Sequence, residues 1–246
     1  MKIKLCGLCK RYGTEDVLDS IETELEPGKL VSLVGSNGAG KSTLMKLLST
    51  LHAPTSGHIL FDGEILQRDR IDLRAKLYYL EDSPFFLSDS PIDHICLSAA
   101  LFNRPLDGLK QNIIEWLRQF DLLDMAEKPI STMSRGQRYK VAFIALLAAN
   151  PELWLLDEPF AAGVDPTGIS AIKRNLNKVV GAGATVIYST QIVELAESFS
   201  DQVWVLHKGR LKIDMQTKEL AGVTETYGLA GAVSYTHLTL PTILLV

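Results

Sequence analysis

The 246 residues are 46% hydrophobic, 22% charged and 7% aromatic, and carry a formal net charge of −4. This balance fits a globular chain able to bury a sizeable core, and it excludes a global basic field for nucleic acid or an anionic membrane surface. Apolar runs such as 141–149 and 153–156 fall far short of the roughly 20 residues a bilayer span needs. Met1 to Tyr12 mixes Lys, Arg and Gly and does not read as a secretory leader, so a soluble, cytoplasmic protein is expected.

Alternating runs at 3–8 and 17–25 predict two strands. Cys6 and Cys9 form a C-x-x-C in the first, but no second ligand pair completes a zinc site, so they read as small strand residues with reduced thiols. Glu26-Pro27-Gly28 is a turn, and 30–34 is a buried strand. A Gly-rich loop then leads into a helix over 41–51, ended by the breaker from Pro54 to Gly57. Further strands are expected at 58–61 and 77–80. From 91 to 150 the pattern is helical, with Leu109, Ile113, Leu117 and Phe120 at helical spacing. This marks an inserted helical subdomain of about 85–150 within a domain of 1–231. Strand-like runs return at 153–156, 185–189, 203–206 and 211–213. Strands alternating with helices imply an α/β fold with a mainly parallel sheet covered on both faces. Residues 232–246, AVSYTHLTLPTILLV, resemble the translated end of a transposon adapter used in preparing sequencing libraries. They are set apart as a tail that is not native.

Gly35-Ser36-Asn37-Gly38-Ala39-Gly40-Lys41-Ser42 fits the phosphate-loop pattern G-x-x-x-x-G-K-[ST], with Thr43 continuing into the helix. The glycines let the backbone turn sharply and aim N–H groups at phosphate oxygens, and the helix dipole adds its positive end. Lys41 is expected to reach the β- and γ-phosphates, and the Ser42 hydroxyl to bind Mg²⁺. Downstream, the apolar run 153–156 ends in Asp157 and Glu158. A buried strand delivering an acid beside a phosphate loop suits Asp157 to Mg²⁺ and Glu158 to polarising the attacking water.

Between these motifs stands Met133-Ser134-Arg135-Gly136-Gln137, which in isolation reads as a helix N-cap on Ser134. It is similar to the LSGGQ signature of ABC ATPases, with Met133 in place of Leu and Arg135 in place of the first Gly. With the three motifs in this order, residues 1–230 resemble the ATP-binding family of ABC transporters, and the segment from Pro84 to Ser134 resembles bacterial export-type cassettes. The resemblance implies a P-loop core with an N-terminal antiparallel β subdomain and an inserted α-helical subdomain. It also implies ATP and Mg²⁺ as ligands and a catalytic set of Glu158, Gln191 and Lys41. Two cassettes would pair head to tail, as a homodimer or heterodimer, with Ser134, Arg135, Gly136 and Gln137 facing the other subunit's ATP. The partner would be a transmembrane permease subunit, at which this chain sits peripherally on the inner face of the plasma membrane, with no nucleic acid involved. Tyr12 matches the aromatic that stacks on adenine, and Asp165 the D-loop aspartate, although the stretch from Glu158 to Asp165 is one residue longer than usual. Phe85 and Phe86 read either as contacts for the permease or as core residues.

Two further positions depart from the pattern. Asp82 stands where the family has a glutamine beside Mg²⁺; a carboxylate can still bind the ion, but it adds negative charge near the γ-phosphate. Gln191 stands where the family has histidine; its amide can donate to the γ-phosphate but cannot become a cation. A working, slower hydrolase is expected. The alternatives are a non-transport ABC ATPase, such as the iron–sulfur assembly type, and a nucleotide-gated switch impaired in hydrolysis.

Overall fold

Two sheets organise the chain in the computed structural model, which describes residues 1–160 and 163–218; the expected tail at 232–246 lies outside the described residues. In chain order the first elements are β1 (Ile3–Tyr12), β2 (Glu15–Leu25), β3 (Leu30–Val34), α1 (Lys41–Leu48), β4 (Ser56–Phe61), β5 (Glu64–Ile65), α2 (Ile71–Arg74) and β6 (Leu77–Leu80). A helical stretch follows with α3 (Pro91–Leu101), α4 (Lys110–Gln119) and α5 (Arg135–Ala149). The chain closes with β7 (Leu153–Leu156), α6 (Pro166–Gly181), β8 (Thr185–Thr190), α7 (Val193–Phe199), β9 (Gln202–His207) and β10 (Arg210–Gln216). None of the described helices is long and apolar enough to cross a membrane.

The N-terminal sheet is antiparallel, in the order β2-β1-β4-β5. The larger sheet runs β10-β9-β3-β8-β7-β6 and is parallel except for the antiparallel edge strand β10. Both sheets and the helical stretch meet the expected α/β class. The first strand runs on to Tyr12, four residues beyond the expected end, because it pairs with β2 up to Tyr12 opposite Glu15. The helix expected over 41–51 stops at Leu48. Thr50 takes a left-handed φ of 62°, which breaks the ladder and leaves Leu51 exposed.

The parallel strands show why both faces are covered. Side chains alternate across a strand, so Leu153 and Leu155 enter the core shared with α1 and the antiparallel sheet. Trp154 and Leu156 enter the core shared with α3, α4, α5 and α6. In β8, Ile187 faces the first core, while Val186 and Tyr188 face the second. Leu109, Ile113, Leu117 and Phe120 all pack into that second cluster, with Leu109 only partly covered. One sheet thus forms a wall between two hydrophobic layers, and its strand ends are fixed from both sides.

Candidate functional site

Four neighbouring parallel strands end on one edge, and each delivers one part of a single cavity. After β3 comes the loop 35–40 leading into α1; after β7 come Asp157 and Glu158; after β8, Gln191; after β6, Asp82. The carboxyl ends of parallel strands are where open α/β sheets take ligands. The cavity has a volume of about 630 Å³ and is lined by Glu15, Val17, residues 36–43, Asp82, Arg135, Asp157, Glu158 and Gln191.

Gly40 forms the N-cap of α1 with φ 107°, a conformation only glycine adopts without strain, and no described side chain caps this helix start. The first amides of α1 are therefore available to an anion. Lys41 is buried, and its ammonium donates to the Gly35 carbonyl at 2.7 Å and lies 3.3 Å from the Glu158 carboxylate. The Gln191 amide donates to the same Glu158 carboxylate at 3.4 Å. Lys41, Glu158 and Gln191, placed far apart in the chain, therefore form one connected group.

Asp157 is buried and held from two neighbouring strands. The Ser189 hydroxyl donates to Oδ1 at 2.6 Å, and the Tyr79 hydroxyl donates to Oδ2 at 3.2 Å. Ser189 also accepts the Glu158 backbone N–H at 2.9 Å, so one serine fixes both acids. Burial, together with the Asp157 carboxylate, pushes the Tyr79 phenol above its ordinary range, which keeps it protonated as a donor. Neither Ser189 nor Tyr79 stands out in the sequence; each is an ordinary strand residue whose facing direction depends on sheet order. Glu15 and Val17, which line the cavity from the β1–β2 hairpin, escaped sequence reasoning for the same reason.

The segment resembling the signature starts α5. The Ser134 hydroxyl accepts the Gln137 N–H at 3.2 Å, and the Gln137 side chain accepts the Ser134 N–H at 2.9 Å, a reciprocal capping box. Gly136 packs so closely on the following loop that a Cβ there would stand 2.2 Å from the Gly163 carbonyl oxygen. Asp165 caps α6 through the Gly168 N–H at 2.8 Å and forms an ion pair with Lys140 one turn along α5. That pair holds the Asp165 carboxyl below its usual range. Arg135 lies in its own chain's cavity, bonded to Asp82, whereas Ser134 and Gln137 are not among the cavity residues. Tyr12 also stands outside the lining: its hydroxyl meets His52, and the Lys10 ammonium sits 4.8 Å from its ring centroid. Of the two phenylalanines, Phe85 is 82% exposed while Phe86 packs against His94.

The family model described as ABC transporter matches residues 18–161. The chain is similar to the ABC-type transporter ATP-binding protein EcsA of Bacillus subtilis, at 29% identity over 222 residues, covering 90% of this chain and 88% of that protein. It is 33% identical over 214 residues to the energy-coupling factor transporter ATP-binding protein EcfA of Methanosphaera stadtmanae, covering 85% of this chain and 76% of the relative. Among solved structures, an ATP binding subunit of an ABC transporter superposes with a TM-score of 0.84 at 28% identity, over 94% of this chain and 95% of that one.

Proposed function

The chain belongs to the ABC transporter family and hydrolyses ATP to power transport by a partner membrane subunit, and from that premise we propose which residues perform the reaction. The observation that carries the proposal is the meeting of Lys41, Ser42, Asp157, Glu158 and Gln191 around one cavity at the strand ends. The amides of residues 35–43 and the start of α1 receive the phosphates. Lys41 exchanges its Gly35 and Glu158 partners for the β- and γ-phosphate oxygens. Glu158 then orients the attacking water, and the Gln191 amide holds the γ-phosphate.

Ser42 and Asp157 provide one hydroxyl and one buried carboxylate, and no group of three or more His, Cys, Asp or Glu that could hold a metal occurs among the described residues. That sparse oxygen set fits Mg²⁺, which takes one or two protein oxygens and completes its shell with phosphate and water. When bound, the ion neutralises charge developing on the transferred phosphoryl group. Asp82, with both oxygens on Arg135, does not join this donor set.

The partner's docking face is an apolar groove of about 400 Å³ beside the cavity, which includes Leu51, Tyr78, Phe85, Leu87 and Leu101. Three of these side chains, Phe85, Leu101 and Leu51, are more than half exposed at 82%, 67% and 51%. A transmembrane subunit docked there places the chain on the inner face of a membrane, and a second copy brings its Ser134, Gly136 and Gln137 over the nucleotide.

The test is Mg-ATP turnover of the wild type beside Glu158→Gln and Gln191→His. Glu158→Gln is expected to lose about 100-fold or more in turnover, while Gln191→His is expected to raise it by restoring a cation. Turnover that survives Glu158→Gln would remove Glu158 from its assigned role.

A further inference from the structure

Two of the three cavity residues that depart from the family pattern, Asp82 and Arg135, are bonded to each other, while the third, Gln191, bonds to Glu158. Arg135 Nη2 donates to both Asp82 carboxylate oxygens, at 2.5 Å each. The side chains are 56% and 40% exposed, a setting in which an ion pair contributes little to stability. Their location is more informative. Asp82 follows β6, whose Leu80 carbonyl accepts the Asp157 N–H, so its carboxylate belongs to the catalytic end of the cavity. There it joins Asp157 and Glu158, with Glu15 a further carboxylate on the lining, in a space that must accept a polyphosphate. Arg135 is the first residue of α5, whose first turn contains no acidic side chain, so its cation stands at the positive end of a helix dipole. Each charge is misplaced alone, and each cancels the other.

We propose that Asp82 and Arg135 are a charge-compensating positioning pair for ATP hydrolysis, acting within one chain. Asp82 holds the guanidinium at the γ-phosphate end of its own cavity, and Arg135 removes the repulsion that Asp82 would exert on the nucleotide. Neither residue then plays the part its motif position suggests: Asp82 binds an arginine instead of a metal, and Arg135 serves its own cavity instead of a second copy's. The pair also ties the β6 end to the start of α5, joining the parallel sheet to the helical layer. The inference rests on the nucleotide-site reading given above.

The experiment is calorimetric titration of MgATP and MgADP into the full chain as wild type, Arg135→Gly, Asp82→Gln and the double variant, with turnover measured on each. Arg135→Gly leaves Asp82 uncompensated and is expected to weaken MgATP binding about tenfold, with a smaller effect on MgADP, which has no γ-phosphate. The double variant is expected to return to within about threefold of wild type, since the repulsive carboxylate has gone. Asp82→Gln alone is expected to keep MgATP affinity but lower kcat, because the guanidinium is no longer held. Arg135→Gln, which keeps side-chain bulk at the helix start, repeats the comparison should glycine loosen α5. Effects that simply multiply in the double variant would overturn the pair, as would an equal loss for MgATP and MgADP. A wild type that binds neither nucleotide would overturn the site reading itself, a result distinct from either.

Discussion

Ser189 connects the two acids of the cavity, donating to Asp157 and accepting from the backbone of Glu158. Removing its hydroxyl leaves a buried carboxylate short of a donor and the Glu158 N–H short of an acceptor. Ser189→Ala is expected to cost about 1–3 kcal/mol in stability and to lower turnover most at limiting Mg²⁺, as checked by denaturant melts and a Mg²⁺ titration. His94 supplies a second measurable consequence. Its ring is buried, Nδ1 accepts the Leu87 N–H at 3.2 Å, and burial pushes its pKa down to about 4. An unfolded histidine protonates near pH 6.5, so between pH 6.5 and 4 the unfolded chain binds more protons than the folded one. The stability conferred by the neutral ring is whole above pH 6.5, declines as pH falls through this window and is lost below about 4. The expected loss approaches about 3 kcal/mol; melting curves of wild type and His94→Gln should diverge above pH 6.5 and converge towards pH 4. The motif residues were legible in the sequence because phosphate chemistry demands particular types at fixed spacing. Ser189, Tyr79 and the Asp82–Arg135 pair were not, because their roles depend on which strands lie side by side, and no local pattern encodes that.

At the scale of elements, α5 shows the same division. Its start was readable from Ser134, since a hydroxyl before an apolar run predicts a cap, and the capping box is present. Its tight seat was not readable: the retained Gly136 has a steric reason inside this chain, because a side chain there collides with the Gly163 carbonyl. Gly136→Ala is expected to displace that loop and destabilise the protein by about 1–3 kcal/mol, with thermal melting as the check. Strand positions 30–34, 77–80 and 153–156 match the sequence reading residue for residue; the first and last are buried throughout, as parallel strands covered on both faces are, while the edge strand 77–80 buries only its terminal leucines. Element ends were less legible, as at Leu48, where a left-handed residue stops the helix despite apolar residues beyond it.

For the whole molecule, alternation of strands and helices predicted the parallel sheet, while the order β10-β9-β3-β8-β7-β6 came only from the structure. That order sets β3, β8, β7 and β6 side by side and so assembles the cavity. Ser134 is also exposed, and the pairing proposed above sets it against a second copy. The Glu158→Gln chain with Mg-ATP is therefore expected to run at twice the mass of the nucleotide-free chain in light scattering. An unchanged mass would argue against nucleotide-dependent pairing.

The contacts of α5 with Gly163 and Asp165 carry a mechanical meaning. The helix presses its second residue on the Gly163 carbonyl and, one turn further, grips Asp165 through Lys140. Gly163 lies five residues beyond Glu158. A tilt of α5 would therefore bear directly on Gly163 and Asp165, much as a crank turns the shaft keyed to it. One carbonyl and one ion pair thus key the helical layer to residues just beyond Glu158.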